Sequence, residues 1–404
     1  MAEKREARVD TDHVLLLVTF VLVGSGLVMV LSSSQALAYL QHRFALYYFI
    51  RQLVFAGVGV SALLVLRRVD YHRLRPYAPL LAALTMAAML AVLVPGVGLK
   101  IGGARRWVSL GPLGTFQPSE LGKLAFTVYL AHWVDRRGPR IRSFADGFVP
   151  YALILAAVLG VILLQRDLGT AMVTAATLVA VFYAGGGRKS HLSILVVLLL
   201  AALVYVILFE SYRSQRLAVF LDPFKDPLGT GYQARQALLA LGSGGLTGVG
   251  LGHSVQKYLW LPAAHTDFIF AIVGEETGFV GTTAVLAGFV LLAARGYRAA
   301  MRAPDRMGVA LAAGITTWVT VQALLNIGTV TDTMPITGVP LPFISYGGSS
   351  LTIVLAGMGI LLNVAGQGRR QTYMRRRIDA TLDLGRRDRR PPVAGARRRS
   401  SVPR

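Results

Sequence analysis

Three acids stand close together where a long apolar segment begins. Asp267 closes Leu261-Pro262-Ala263-Ala264-His265-Thr266-Asp267, and Glu275 and Glu276 follow inside the segment. A carboxylate in hydrocarbon is costly unless it is paired, hydrated or protonated, so acids at such a place are candidates for function by default. Asp267 suits a base that takes a proton from a bound hydroxyl, or a ligand for a divalent cation such as Mg2+ or Mn2+. It also suits a helix cap, its oxygen accepting from orphan backbone N–H groups. Capping does not account for Glu275 and Glu276 one to two turns deeper, which suit pairing with polar groups inside a bundle. His265 either assists Asp267 or is structural.

Other polar segments lie between apolar stretches. Gly102-Gly103-Ala104-Arg105-Arg106-Trp107 leads to Phe116-Gln117-Pro118-Ser119-Glu120-Leu121-Gly122-Lys123. Pro118, Ser119 and Glu120 read as a helix start, with Glu120 and Lys123 three apart on one face. That pair serves either a substrate or the neutralised entry of a helix. The segment from about 211 to 266 carries Arg213, Arg216, Lys225, Arg235 and Lys257, with Gly242, Gly244, Gly245, Gly248, Gly250 and Gly252. Such glycines let backbone approach a ligand closely. Arg213 and Arg216 suit the clamping of a diphosphate, or contact with lipid headgroups. The stretch from Thr337 to Ser350, which holds Ser345 and Tyr346, is dense in proline and glycine. It predicts a broken helix entry that lines a cavity. The turn Gln165-Arg166-Asp167-Leu168-Gly169 adds Asp167 on the same side.

Membrane helices must position these groups. Of 404 residues, 54% are hydrophobic and only 15% charged, and the mean hydropathy is +0.55. That excludes an ordinary soluble domain and predicts an all-α, polytopic membrane bundle. About ten stretches are long enough to span, near residues 14–33, 47–66, 77–96, 119–135, 148–165, 169–186, 191–210, 268–293, 307–328 and 343–365. A large extracytoplasmic loop joins the seventh and eighth. The first stretch exceeds a signal-peptide core and lacks a small-residue cleavage site, so it reads as a retained helix. Lys and Arg concentrate on the side of the N-terminus, from Lys4, Arg67 and Arg136 to Arg188, Lys189 and Arg302. By the positive-inside rule both termini are cytoplasmic. The net charge of +22 is then mostly a topology signal. The arginine-rich tail lacks aromatic interleaving, which favours anionic lipids over nucleic acid. The expected organisation is a cytoplasmic tail at 1–13, a membrane domain at 14–365 and a basic, disordered tail at 366–404. Cysteine is absent, so there are neither disulfides nor thiolate sites. No nucleotide-phosphate loop, HExxH helix or Ser/His/Asp signature occurs on the cytoplasmic side, which argues against ATP coupling.

Across nearly the whole membrane region the chain resembles the SEDS family (shape, elongation, division and sporulation). The resemblance is carried by GGARRW at 102–107, FQPSELGKLA at 116–125, DLGTA at 167–171, LDPFKDPLGTGYQ at 221–233, ALGSGGLTGVGLGHSVQK at 240–257, LPAAHTDFIFAIVGEETG at 261–278 and TGVPLPFISYGGSSL at 337–351. LDPFKDPLG, SVQK and LPFISYGGSS resemble the FtsW branch more than the RodA branch. Arg166, Ala263 and Thr277 depart from the usual pattern, where a proline, an acid and a leucine are common. The resemblance implies polymerisation of lipid II into glycan strands outside the bacterial inner membrane, at the division septum. Asp267 falls on the family's essential loop aspartate and is the expected base of an inverting reaction. The residues expected to bind substrate are Arg105, Arg106, Gln117, Glu120, Lys123, Arg213, Arg216, Lys257, His265, Ser345 and Tyr346. A class B penicillin-binding transpeptidase and other division-complex membrane proteins are the implied partners. A lipid II flippase and a non-enzymatic scaffold for a transpeptidase are the competing readings.

Overall fold

Apolar residues cover the outside of this protein as well as its interior. The computed structural model describes residues 11–111, 114–209, 220 and 231–387, with backbone alone at 209 and 372–387. The helices are α1 (His13–His42), α2 (Tyr47–Leu66), α3 (Ala78–Ala91), α4 (Pro118–Arg137), α5 (Val149–Leu164), α6 (Leu168–Ala184), α7 (Lys189–Phe209), α8 (Tyr232–Ser243), α9 (Ile269–Arg302), α10 (Arg306–Val330) and α11 (Gly348–Arg387). Among the described residues, seven helical segments are long and apolar enough to cross a membrane: α1, α2, α7, α9, α10, Phe144–Leu164 and Gly348–Gln371. The helices α3 and α6 are apolar but shorter. Leu17, Val54, Leu153 and Val280 are each more than half exposed and face outward. Soluble monomers rarely carry apolar surface on this scale, and a bilayer covers it. The fold is an all-α polytopic membrane bundle.

Its axis is α10, which packs on α9, α6, α4 and α11, while α11 lies along α2. Small residues permit the approach. A Cβ on Gly314 of α10 would lie 2.6 Å from Val181 of α6 and 2.8 Å from Thr127 of α4. In lipid, where packing rather than the hydrophobic effect joins helices, such contacts set the interface. Trp318 is fully buried at this crossing.

The two ends of the bundle differ in chemistry. At one end, Asp12 caps α1 through Leu15 N (3.1 Å) and pairs with Arg295 and Arg369, both at 2.7 Å. The same end holds Arg75 against Asp135 (2.9 Å) and His72 between Asp70 and Asp305. The opposite end gathers the starts of α4, α6 and α9 with the irregular segment 331–347.

Several expectations need correction. Within the chain expected to be all-α, a small antiparallel sheet fills the connection from α3 to α4: β1 (Gly98–Ile101), β2 (Ala104–Ser109) and β3 (Thr115–Phe116), in the order β1-β2-β3. Gly102 and Gly103, at φ +58° and +80°, make the tight turn that side-chain-bearing residues resist. The helix α9 is broken at Gly278 (φ +65°, ψ −163°) rather than straight. The last helix begins at Gly348 and continues to Arg387, through much of the tail expected to be disordered. Arginine, glutamine, methionine and leucine are good helix formers, and proline first recurs at Pro391.

Candidate functional site

Asp267 lies one residue before Phe268, the N-cap of α9, whose own side chain makes no cap bond. Its position is set through main-chain oxygens instead. Asn326 Nδ2 of α10 donates to Asp267 O (2.7 Å) and to Val339 O (2.8 Å). Ser345 Oγ donates to Thr266 O (2.6 Å) and accepts from Leu341 N (2.8 Å). Tyr346 N donates to His265 O (2.9 Å). Gln52 Nε2 of α2 holds Ser345 O (3.1 Å), and its Oε1 accepts from Gly347 N (3.2 Å). Segments 265–267 and 339–347 are thus sewn together by the buried side chains of Asn326 and Ser345, while buried Gln52 ties residues 345–347 to α2. The irregular backbone is satisfied inside the protein, as membrane depth demands. Gly338, at φ +67°, leaves room beside the carboxylate: a Cβ there would lie 3.5 Å from Asp267 Oδ2.

The acids and bases of α4 join this seam from the other side. Lys123 Nζ donates to Glu120 Oε1 (2.8 Å) and to Gln322 Oε1 (2.7 Å). Gln322 Nε2 donates in turn to Pro340 O (3.0 Å), and Trp318 Nε1 donates to Gln322 Oε1 (2.8 Å). Glu120 and Lys123 are almost wholly buried. Both readings of that pair therefore meet one geometry: a neutralised helix entry tied to the segment that flanks Asp267. Beside it, Gln117 Nε2 donates to Asp167 Oδ2 (2.8 Å), and Arg106 Nη1 approaches the same oxygen at 3.3 Å. Asp167 Oδ1 caps α6 through Thr170 N (3.0 Å). Gly169 then lets α6 touch the seam, since a Cβ there would meet Val339 at 2.3 Å and Thr337 O at 2.7 Å.

Glu275 and Glu276 have structural work to do. Glu276 accepts from Ser32 Oγ (2.6 Å) and pairs with Lys257 Nζ (3.0 Å). Glu275 accepts from Val255 N (2.8 Å) and from Ser254 Oγ. Lys257 Nζ also donates to Ser32 Oγ (3.1 Å) and Gly252 O (2.6 Å). The expected substrate cation Lys257 is therefore a buried anchor, its ammonium engaged by three groups. Two glycines of the run, Gly244 and Gly248, are also structural. A Cβ on Gly244 would lie 1.9 Å from Gly274 O, and one on Gly248 would lie 2.2 Å from Glu276 O. These glycines approach α9 rather than a ligand. Backbone bonds from Val249 N to Glu275 O (3.0 Å) and from Phe279 N to Gly245 O (2.9 Å) serve the break at Gly278.

His265 and Tyr346 meet in an aromatic group that includes Tyr48, an unexpected member from α2. Ring centroids are 5.1 Å apart for Tyr48–His265, 5.0 Å for Tyr48–Tyr346 and 5.6 Å for His265–Tyr346. Burial pulls the His265 imidazole down to about 4, so it is neutral at pH 7. Arg105 stands directly across the hairpin from Lys100. Like charges in that register repel unless an anion lies between them. Arg213 and Arg216 lie outside the described residues. Among the described residues, no three metal-ligating side chains converge. Those residues form no closed metal cage, and Asp267 by itself could give a cation one carboxylate. Asn326, Gln322, Gln52 and Tyr48 were missed in the sequence, where the one available signal was a lone polar group in each apolar stretch.

Comparison with known proteins agrees with this architecture. The FtsW/RodA/SpoVE family model, described as "Cell cycle protein", matches residues 12–370. Stage V sporulation protein E of Bacillus subtilis is 41% identical over 362 residues, covering 90% of this chain and 99% of that protein. A probable peptidoglycan glycosyltransferase FtsW of Geobacter metallireducens is 41% identical over 354 residues, covering 88% and 94%. Among solved structures, a chain of a peptidoglycan synthase complex that coordinates polymerization and crosslinking aligns at TM-score 0.70 and 30% identity, covering 89% of this chain and 98% of its own. Thermus thermophilus RodA, a rod shape determining protein, aligns at TM-score 0.65 and 31% identity, covering 88% and 97%. This chain belongs to the SEDS family, the FtsW/RodA/SpoVE group of cell cycle proteins.

Proposed function

We propose that this chain is a peptidoglycan glycosyltransferase that polymerises lipid II during cell division, with Asp267 as its base. The observation that carries the reading is the seam around Asp267, held by Asn326, Ser345 and Gln52 at one end of the bundle. Such second-layer fixing is what a reacting carboxylate requires. The end rich in Lys and Arg lies in the cytoplasm by the positive-inside rule, which puts Asp267 on the outer side of the inner membrane.

The acceptor sugar's 4-hydroxyl attacks the donor's anomeric carbon from the face opposite the diphosphate. A new C–O bond forms there with inversion, and the bond to undecaprenyl diphosphate breaks, its electron pair leaving with the diphosphate. The hydroxyl proton passes to the Asp267 carboxylate. The start of α9 favours the charged carboxylate and weakens it as a base, while neighbouring Phe268 and Phe270 act the other way. Arg105 and Lys100 on the hairpin, and Arg213 and Arg216, supply charge for the diphosphate. Lys123 and Glu120 act through Gln322 on the seam rather than as a mobile clamp. His265, Tyr346 and Tyr48 offer ring faces to a sugar. The alternative role for Asp267 is to hold a Mg2+ or Mn2+ brought with the diphosphate, which would neutralise the leaving group's charge, in place of taking the proton.

The partner is a class B penicillin-binding transpeptidase that cross-links the strand, along with other division-complex membrane proteins at the septum. A reconstituted vesicle assay tests the reading against lipid transport. Labelled lipid II supplied only on the side facing Asp267 should yield polymer, faster with the transpeptidase present. Movement of intact lipid II across the bilayer without polymer would overturn it.

A further inference from the structure

At the far end of α6 from Asp167, a cavity of about 810 Å³ opens between two loops and the start of α7. It is lined by Arg142, Tyr183, Gly186, Gly187, Arg188, Lys189 and Ser190. Three cations from two stretches of chain, Arg142 on one and Arg188 with Lys189 on the other, thus surround one space, and among the described residues no carboxylate lines it. The nearby Asp146 accepts from Ser143 Oγ at 3.3 Å.

The positive-inside rule accounts for cations at this end, but not for their convergence. The convergence is built by tight backbone. A Cβ on Gly185 would lie 2.1 Å from Val134, and one on Gly187 would lie 2.4 Å from the Phe182 ring, so the turn after α6 is pressed onto its neighbours. Gly186 takes φ +97°, and its carbonyl accepts from Arg142 Nε at 3.4 Å. The turn is pre-shaped, and it carries Arg188 and Lys189 to face Arg142.

An apolar track leads away from the cavity. Ser190 lines it, and Ile194, Val197, Leu198 and Val204 follow four, seven, eight and fourteen residues further on, along the same face of α7. Their exposures are 42%, 63%, 56% and 55%. Cations around a polar space, then a strip of exposed aliphatic side chains, match a phosphate joined to acyl chains. Half-exposed Tyr183 sits at the boundary, where aromatic rings favour the headgroup level. Free phosphate would use the cations but not the strip.

We propose that this cavity binds the headgroup phosphate of an anionic glycerophospholipid of the cytoplasmic leaflet, with its acyl chains along α7. The site is separate from the catalytic seam and from the arginine-rich tail.

Native mass spectrometry of the full chain, released from micelles containing phosphatidylglycerol or phosphatidylcholine, tests this. The wild type should retain phosphatidylglycerol preferentially. Arg142→Gln combined with Arg188→Gln and Lys189→Gln should weaken that retention about a hundredfold, at roughly 1 kcal/mol per cation and about 1.4 kcal/mol per tenfold. Arg397→Gln with Arg398→Gln and Arg399→Gln, an equal loss of charge in the tail, should leave it unchanged. Should the first combination fail to fold, Lys189→Gln alone should cost about fivefold on the same scale. Equal losses from both combinations, equal retention of both lipids, or no loss from Lys189→Gln would overturn the proposal. Displacement of the lipid by excess inorganic phosphate alone would also overturn it, since the ligand would then be the free anion.

Discussion

Asn326 does for Asp267 what no cap does: its single amide nitrogen fixes the main-chain oxygens of Asp267 and Val339 at once. Asn326→Ala leaves two buried carbonyls unmet, which should cost about 1–3 kcal/mol per orphaned group in stability. Its larger effect should be on rate, because displacement of a reacting group by about 1 Å can cost on the order of a hundredfold. A thermal melt and an initial-rate assay separate the two; a rate loss no larger than the stability loss implies would show that Asn326 only supports the fold. The buried Lys123–Glu120 pair allows a second test. Lys123→Met strands Glu120 in the interior and should destabilise by about 3–5 kcal/mol, while adding Glu120→Gln should restore much of that. A double mutant no more stable than the single would mean that the charges do not compensate each other. The carboxylates were legible in the sequence because charge is rare in apolar stretches. The amides of Gln52, Gln322 and Asn326 were not, since nothing in their spacing tells which carbonyl each will meet.

Broken elements matter here as much as straight ones. The break in α9 exists because Gly278 adopts a backbone region open only to glycine, and because the glycine-rich loop fills the gap: Gly248 N lies 2.4 Å from where a Gly278 Cβ would stand. Gly278→Ala should cost about 1–3 kcal/mol from backbone strain alone. It should also unseat residues 244–250, which limited proteolysis would detect as new cleavage in that loop. Unchanged cleavage would show that the break tolerates a side chain. Apolar length located the helices well, and the irregular entry to α11 was legible from its prolines and glycines. The extension of α11 past 365 was not, because arginine content was weighed as a sign of disorder, although arginine is also a good helix former. The hairpin was not legible because its strands are short and lack a clear apolar alternation, although Gly102-Gly103 marks its turn.

On the scale of the molecule, two ends do different jobs. The end rich in Lys and Arg is clasped by His72, which bridges Asp70 and Asp305 and so joins the α2–α3 connection to α10. Burial pulls the His72 imidazole down, but its bonds to Asp305 and Asp70 outweigh this and hold it above the ordinary 6.5. Burial pushes Asp305 up, but its bonds to Gly308 N, His72 and Tyr71 outweigh this and hold it below 3.8. A raised histidine stabilises fully below about pH 6.5 and loses that contribution as pH climbs through its folded value. A lowered carboxylate stabilises above about pH 3.8 and loses its contribution as pH falls. The clasp is therefore strongest between roughly pH 4 and pH 6.5. His72→Gln should lower the melting temperature more at about pH 6 than at about pH 8; an equal drop at both would remove the charge from the account.

The end that holds Asp267 carries the proposed chemistry, and one comparison bears on it most directly. Glycan made from labelled lipid II by the wild-type chain and by Asp267→Asn would be measured, each purified with the transpeptidase, whose cross-linking is blocked by a β-lactam. The two preparations would be matched by melting temperature. Polymer from the wild type and none from the equally stable variant is the predicted result. Polymer at comparable rates from both would contradict the assignment of Asp267 as the base.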